Sequence, residues 1–201
     1  MYVQGLSARG GLKTVAVFPM VRLSNSPITR GDRDVEAGLP ITQIEPVAVH
    51  YIKLGRGGAW LDDCLDGGIL KFDDLAPHDI AAACDWDQVR AIYTAAGDPT
   101  ATDRLRELRA FYEAGPKDLW ITLARGRLWW AFASPVVELA DDGTRVRRTI
   151  GGWSDRDIAG QVLRADSLST SLTQTAAYQR TICNVGARDY LLRRLNAAPD
   201  P

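Results

Sequence analysis

The chain has 201 residues, 46% hydrophobic and 24% charged, with a formal net charge of −1 at pH 7. This is ordinary globular composition, long enough for one core or for one domain plus an extension, and the near-neutral charge argues against indiscriminate nucleic-acid binding. No apolar run of about 18 residues occurs, and "MYVQGLSARGGLKTVAVFPMV" lacks a signal-peptide layout, so no membrane span and a cytoplasmic location are expected.

Residues 1–45 read as an N-terminal strand and loop extension: "KTVAVFPMVRL" is strand-like, and "SNSPITRGDRDVEAGLP" is rich in turn formers. The body is expected over 46–201. "PVAVHYIKL" is the first strand of that body. Alternation puts Val47, Val49, Tyr51 and Lys53 on one face, and Ala48, His50, Ile52 and Leu54 on the other. A loop, "GRGG", follows. "AWLDDCLDGG" reads as a short helix closed by Gly67 and Gly68, and "ILKFD" as a brief strand.

"PHDIAAACDWDQVRAIYTAAG" reads as one helix between Pro77 and Gly97. "PTATDRLRELRAFYEAG" reads as a second, with Thr102 as N-cap and an apolar stripe of Leu105, Leu108, Phe111 and Tyr112. "DLWITLA" and "RLWWAFASPVVEL" flank "RG" (Arg125, Gly126) as a hairpin, and "TRVRRTI" adds a third strand after "DDG". "GGWSDRDIAG" reads as a second glycine loop. A short helix or turn, a strand over Thr181–Val185 and an amphipathic helix "ARDYLLRRLNAA" complete the chain. Such a meander tends to close into a small barrel, with the helices outside it.

Cys64, Cys84 and Cys183 give neither a disulfide framework nor a zinc pattern, and two histidines, His50 and His78, are too few for a histidine-rich metal site. No HExxH, P-loop, GxSxG or HNH-type cluster appears, so no catalytic residue, cofactor or metal is expected. An enzyme using Cys64 or Cys183 with a histidine base remains a competing reading.

Twenty of the 24 basic residues are arginine, suited to bidentate and stacking contacts. Residues 1–103 carry net −5 and residues 104–201 net +4, an asymmetry that fits a basic face or chance. Each of the six tryptophans fits a core position or a pocket wall. Trp129 and Trp130 are adjacent in a strand and must point to opposite faces. Arg56 fits a solvated loop or a phosphate contact, and Lys53 likewise. Arg145, Arg147 and Arg148 fit a solvent-facing strand or a phosphate rim. "YQRT" places Tyr178 and Arg180 directly before the closing strand.

"HYIKLGRGGAW" and "KDLWITLARGRLWWAFASPVVE" resemble the pattern of the PUA-like superfamily of modified-base readers, the YTH, EVE and SRA-type domains, over roughly residues 46–196. The loop "IKLGRGG" departs from the serine-containing loops of YTH domains, and SRA finger motifs are not visible. The resemblance implies an α+β fold, a small PUA-like barrel flanked by helices, and a non-catalytic reader of modified DNA. C5-methylated cytosine is the favoured base. Tyr51, Trp60, Trp130 and Trp153 are then the base pocket, and Lys53, Arg56, Arg147, Arg148 and Arg180 the nucleic-acid contacts. A restriction nuclease is a conceivable partner. An RNA-binding PUA-like protein and an interaction protein without nucleic-acid ligand are the alternatives.

Overall fold

Residues 43–178 and 180–198 are described in a computed structural model of the chain. The first strand, β1 (Val49–Ile52), is buried along its whole length because it lies inside a sheet covered on both faces. It pairs in parallel with β3 (Leu119–Ala124), placing Tyr51 beside Ile121, and antiparallel with β7 (Ile182–Asn184), placing Tyr51 beside Cys183. β3 turns into β4 (Arg127–Ala133) through Arg125 and Gly126, both at positive φ (53° and 69°), the backbone that a two-residue hairpin needs.

β4 pairs with the ten-residue β6 (Arg145–Ser154). The other flank of β6 takes β2 (Ile69–Phe72) and the two-residue β5 (Glu138–Leu139). The order β2-β6-β4-β3-β1-β7 forms a curled half-barrel. Among the described residues no ladder joins β2 to β7, so the expected closure does not occur in the hydrogen bonding. The supposed second glycine loop is also corrected: Gly151 to Trp153 belong to β6, where the pairing with β4 shifts register.

Alternation along the strands builds two cores. Ile52, Leu54, Trp120 and Ala133 meet α1 (Leu61–Gly67), α2 (His78–Ala82), α3 (Trp86–Ala95) and α4 (Ala101–Glu113). Val49, Tyr51, Leu119, Ile121, Leu128 and Trp130 meet Leu172 of α5 (Thr170–Thr173) and Leu191 and Leu195 of α6 (Arg188–Leu195). The α4 stripe appears as expected: Leu105, Leu108 and Phe111 are buried, and the Phe111 ring lies 5.3 Å from Phe72 and 5.9 Å from Trp120. Burying each such side chain contributes about 1.5–3 kcal/mol.

Three local expectations need correction. The single helix over 77–97 is broken into α2 and α3 at Cys84 (φ 57°), where Asp85 caps α3 by accepting from the Gln88 amide at 3.1 Å. α4 starts after Thr100 rather than Thr102. Ile44 is part of the body, at 1% exposure, although it precedes the boundary expected after residue 45; the Asn196 side chain accepts from its amide and donates to its carbonyl. The strand and loop expected before it, over 13–40, lie outside the described residues. No described helix is long and apolar enough to cross a membrane.

Candidate functional site

The four aromatic residues expected to form one pocket are divided by the sheet. Tyr51 and Trp130, 3% and 8% exposed, are buried on the α5–α6 side, and the Trp130 indole donates to the Arg156 carbonyl at 2.7 Å. Trp60 and Trp153 pack on the opposite side against the α1–α4 core. Period-two alternation fixes the sides of Tyr51, Trp130 and Trp153, and the position of Trp60 at the start of α1 fixes the fourth, so the shared pocket is corrected. Trp153 donates to the Ile69 carbonyl at 3.0 Å. Trp60 lies across Gly55, where a Cβ would come within 3.0 Å of its ring, and the Lys71 ammonium sits 5.9 Å from the Trp60 ring centre. "GRGGAW" is thus a turn whose first glycine (φ 81°) makes room for a packed tryptophan.

The basic residues also sort differently. Arg147 is fully buried and donates to the carbonyls of Ser134, Phe111 and Ala114 at 2.8, 2.9 and 2.8 Å. Burial pulls its guanidinium down to about 10. Arg145, 3% exposed, donates to the carbonyls of Asp74 and Ala76. Both are spent on backbone carbonyls inside the fold, at the C-terminal end of α4 and in the loops at Asp74, Ala76 and Ser134, so the phosphate role expected of Arg147 is corrected. Arg148 is exposed and paired with Glu138, and Arg56 is exposed in the turn Arg56–Gly58.

The two remaining basic residues converge. The Lys53 ammonium donates to the Tyr178 carbonyl, and the Lys53 amide donates to the Thr181 carbonyl at 2.8 Å. Arg180 reaches across to Asp103 of α4 at 2.7 Å. Beside Arg180 lies a cleft of about 1060 Å³, bounded by the end of β2, the flank of α4 that carries Asp103, Arg106, Glu107 and Ala110, and residues of the 178–186 segment. Phe72 and Ala110 line its apolar part. Glu107, Arg104, Arg106, Arg180 and Asn184 bring polar groups to it, and Tyr178 stands at it with 60% exposure. None of Tyr51, Trp60, Trp130 or Trp153 lines this cleft.

Burial raises the Glu107 pKa above the ordinary carboxylate range, against the pull of the Thr181 and Ile182 amides and of Arg180 and Arg104. Asp74 lies beneath, buried, accepting from the Tyr93 hydroxyl at 2.6 Å and the Ala76 amide at 2.8 Å; Arg104 approaches it at 3.4 Å. A second groove of about 400 Å³ continues over α4 past Arg106 and Arg109.

No family model, no curated protein and no solved structure matches the chain.

The geometry alone therefore limits the chemistry. Among the described residues no group of three or more His, Cys, Asp or Glu could hold a metal ion. Cys64 is buried, with its thiol pushed up to about 11, and burial also raises Cys183. Both favour the inert thiol. Burial lowers the His50 pKa below its ordinary value, which disfavours the charged ring. The cleft combines an aromatic residue, a half-buried carboxyl group and several guanidinium donors, the mixture that holds a flat polar ligand. Glu107 and Asn184 escaped the sequence reading because they stand 77 positions apart in the chain. The one local signal was "TDRLRE", which puts Asp103, Arg104, Arg106 and Glu107 within a turn and a half of α4.

Proposed function

We propose that this chain is a non-catalytic nucleic-acid-binding module of PUA-like type. In this reading it takes a modified base, C5-methylated cytosine in DNA being favoured, into the cleft between α4 and the 178–186 segment. The observation that carries the reading is the cleft itself, where the exposed Tyr178 ring, the half-buried Glu107 and the guanidinium of Arg180 meet. Tyr178 offers a stacking face, worth about 1–3 kcal/mol per base. That offsets the few kcal/mol spent in extruding a base from its stack. Glu107 is an acceptor for the cytosine amino group. Phe72 and Ala110 offer the apolar contact that a C5-methyl group seeks; its burial adds about 0.8 kcal/mol, a selectivity of about fourfold. Arg180 at the cleft and Lys53 beside the Tyr178 carbonyl are candidates for nucleic-acid contacts. The exposed Arg56 and Arg148 are candidates for outer phosphate contacts.

Gel-shift titration at low salt with duplexes that differ only in cytosine methylation tests this reading. Tighter binding of the methylated duplex, lost in Tyr178→Ala, is the expected result. Equal or absent binding of both duplexes sinks it. RNA binding is separated by running the same sequence as RNA, where 2′-hydroxyl contacts discriminate. A second reading, an interaction domain without nucleic-acid ligand, draws on Val136, Leu139 and Ile150, apolar side chains 54–61% exposed around β5 and β6.

A further inference from the structure

Two guanidinium groups converge on a single oxygen at the rim of the cleft. Arg180 and Arg106 lie 2.7 and 3.3 Å from the same Oδ1 of Asp103. They come from different parts of the fold: Arg106 from the exposed side of α4, Arg180 from the strap that leads into β7. One oxygen between two planar cations is the arrangement in which proteins hold a phosphate oxygen. We propose that Arg106 and Arg180 form a phosphate clamp, and that the Asp103 carboxylate is an internal stand-in for the phosphate group next to the bound base. This rests on the proposed nucleic-acid reading of the cleft.

Three features support the assignment. All three side chains are well exposed, at 62% for Arg106, 41% for Arg180 and 40% for Asp103, so these ion pairs are weak and readily exchanged. Asp103 sits in the first turn of α4, a 13-residue helix whose positive end favours any anion placed there. The neighbouring Arg104 is already engaged by Asp98 and Asp74, both at 3.4 Å, which leaves Arg106 and Arg180 as the two cleft arginines held by Asp103. A phosphodiester carries its charge on two unbridged oxygens and can engage both guanidinium groups where one carboxylate oxygen now serves both. Asp103 then acts as a competitor that keeps adventitious anions out and sets the salt dependence of binding.

The test is fluorescence anisotropy of a labelled methylated DNA strand of about twelve nucleotides, titrated at several salt concentrations with wild type, Asp103→Asn, Arg106→Ala and Arg180→Ala. Asp103→Asn keeps the shape and removes the competing charge; it is expected to tighten binding about fivefold. Each arginine variant is expected to weaken binding and to lower the salt slope by about 0.7, the loss of one phosphate contact on a single strand. Unchanged or weaker binding by a folded Asp103→Asn protein, or an unchanged salt slope in both arginine variants, overturns the clamp while leaving the reading of the cleft intact. Competition by inorganic phosphate and by cytidine monophosphate forms a second arm. If the free nucleotide binds wild type, binds Asp103→Asn more tightly, and no strand binds, the clamp stands and the nucleic-acid reading falls. If neither strand nor nucleotide binds any variant, both fall.

Discussion

Arg147 on β6 donates to the Phe111 carbonyl in the last turn of α4 at 2.9 Å, with its guanidinium carbon 5.9 Å from the Phe111 ring centre. One side chain thus ties the sheet to the helix that forms a wall of the cleft. Replacing Arg147 with leucine leaves the carbonyls of Phe111, Ala114 and Ser134 without their donor. The expected cost is about 1–3 kcal/mol for each carbonyl left unpaired, read as a shift in the urea midpoint. Arg147→Lys recovers little of it, because one ammonium cannot reproduce the forked geometry.

The turn after β1 gives a paired prediction. Gly55→Ala meets both a positive φ and the Trp60 ring, whereas Gly57→Ala meets a positive φ with nothing within 4 Å. Gly55→Ala is expected to cost about 2–3 kcal/mol and Gly57→Ala about 1 kcal/mol. Thermal melts of the two variants compare them directly. Equal losses would show that the Trp60 packing is irrelevant.

His50 gives the fold a pH dependence of known sign. Its folded pKa lies below the unfolded value of about 6.5, so the unfolded chain binds the proton more readily. Its contribution to stability is complete above about pH 6.5 and falls away as the pH drops below that value. Wild type is expected to lose stability from pH 7 to pH 5.5 in denaturant titrations. His50→Gln is expected to lose less over the same interval.

Glu107 works in the opposite direction. Its folded pKa is raised, so its contribution is present at low pH and is lost as the pH climbs through the folded value. Glu107→Gln is expected to be the more stable relative to wild type the further the pH rises above about 4.5. In binding, the ionised carboxylate is the acceptor. Affinity for cytosine-containing strands, methylated or not, is therefore expected to fall on acidification in wild type and to be weaker and less pH-dependent in Glu107→Gln, as measured by anisotropy.

Local elements were legible where a few neighbouring residues decide the backbone. Gly67 and Gly68 end α1, Arg125 and Gly126 turn the hairpin, and leucine spacing writes the buried stripe of α4. Alternation even sorted the two faces of β1 correctly, with Tyr51 and Ile52 in different cores. What stayed illegible depends on partners far along the chain. "RVRR" looks like a charged surface strand until Arg145 meets Asp74 and Ala76, about 70 positions away, and Arg147 meets Phe111. The tryptophans suggested a pocket because residue type suggests a role, while position in the pleat decides which side each one takes. The cleft is assembled from α4 and a strap about seventy residues later, and no local pattern announces such a meeting.

The place of β1 has a consequence for synthesis. Its neighbours are β3, about seventy residues on, and β7, about 130 residues on, while Asn196 holds Ile44 across 152 positions. A nascent chain carrying everything up to β6 still leaves one flank of β1 open. That edge is covered only once β7 has left the ribosome, so completion of the sheet waits on residues 182–184. Arresting translation just before residue 181 would therefore present an exposed β1 edge, ready to pair with any other unfinished chain nearby.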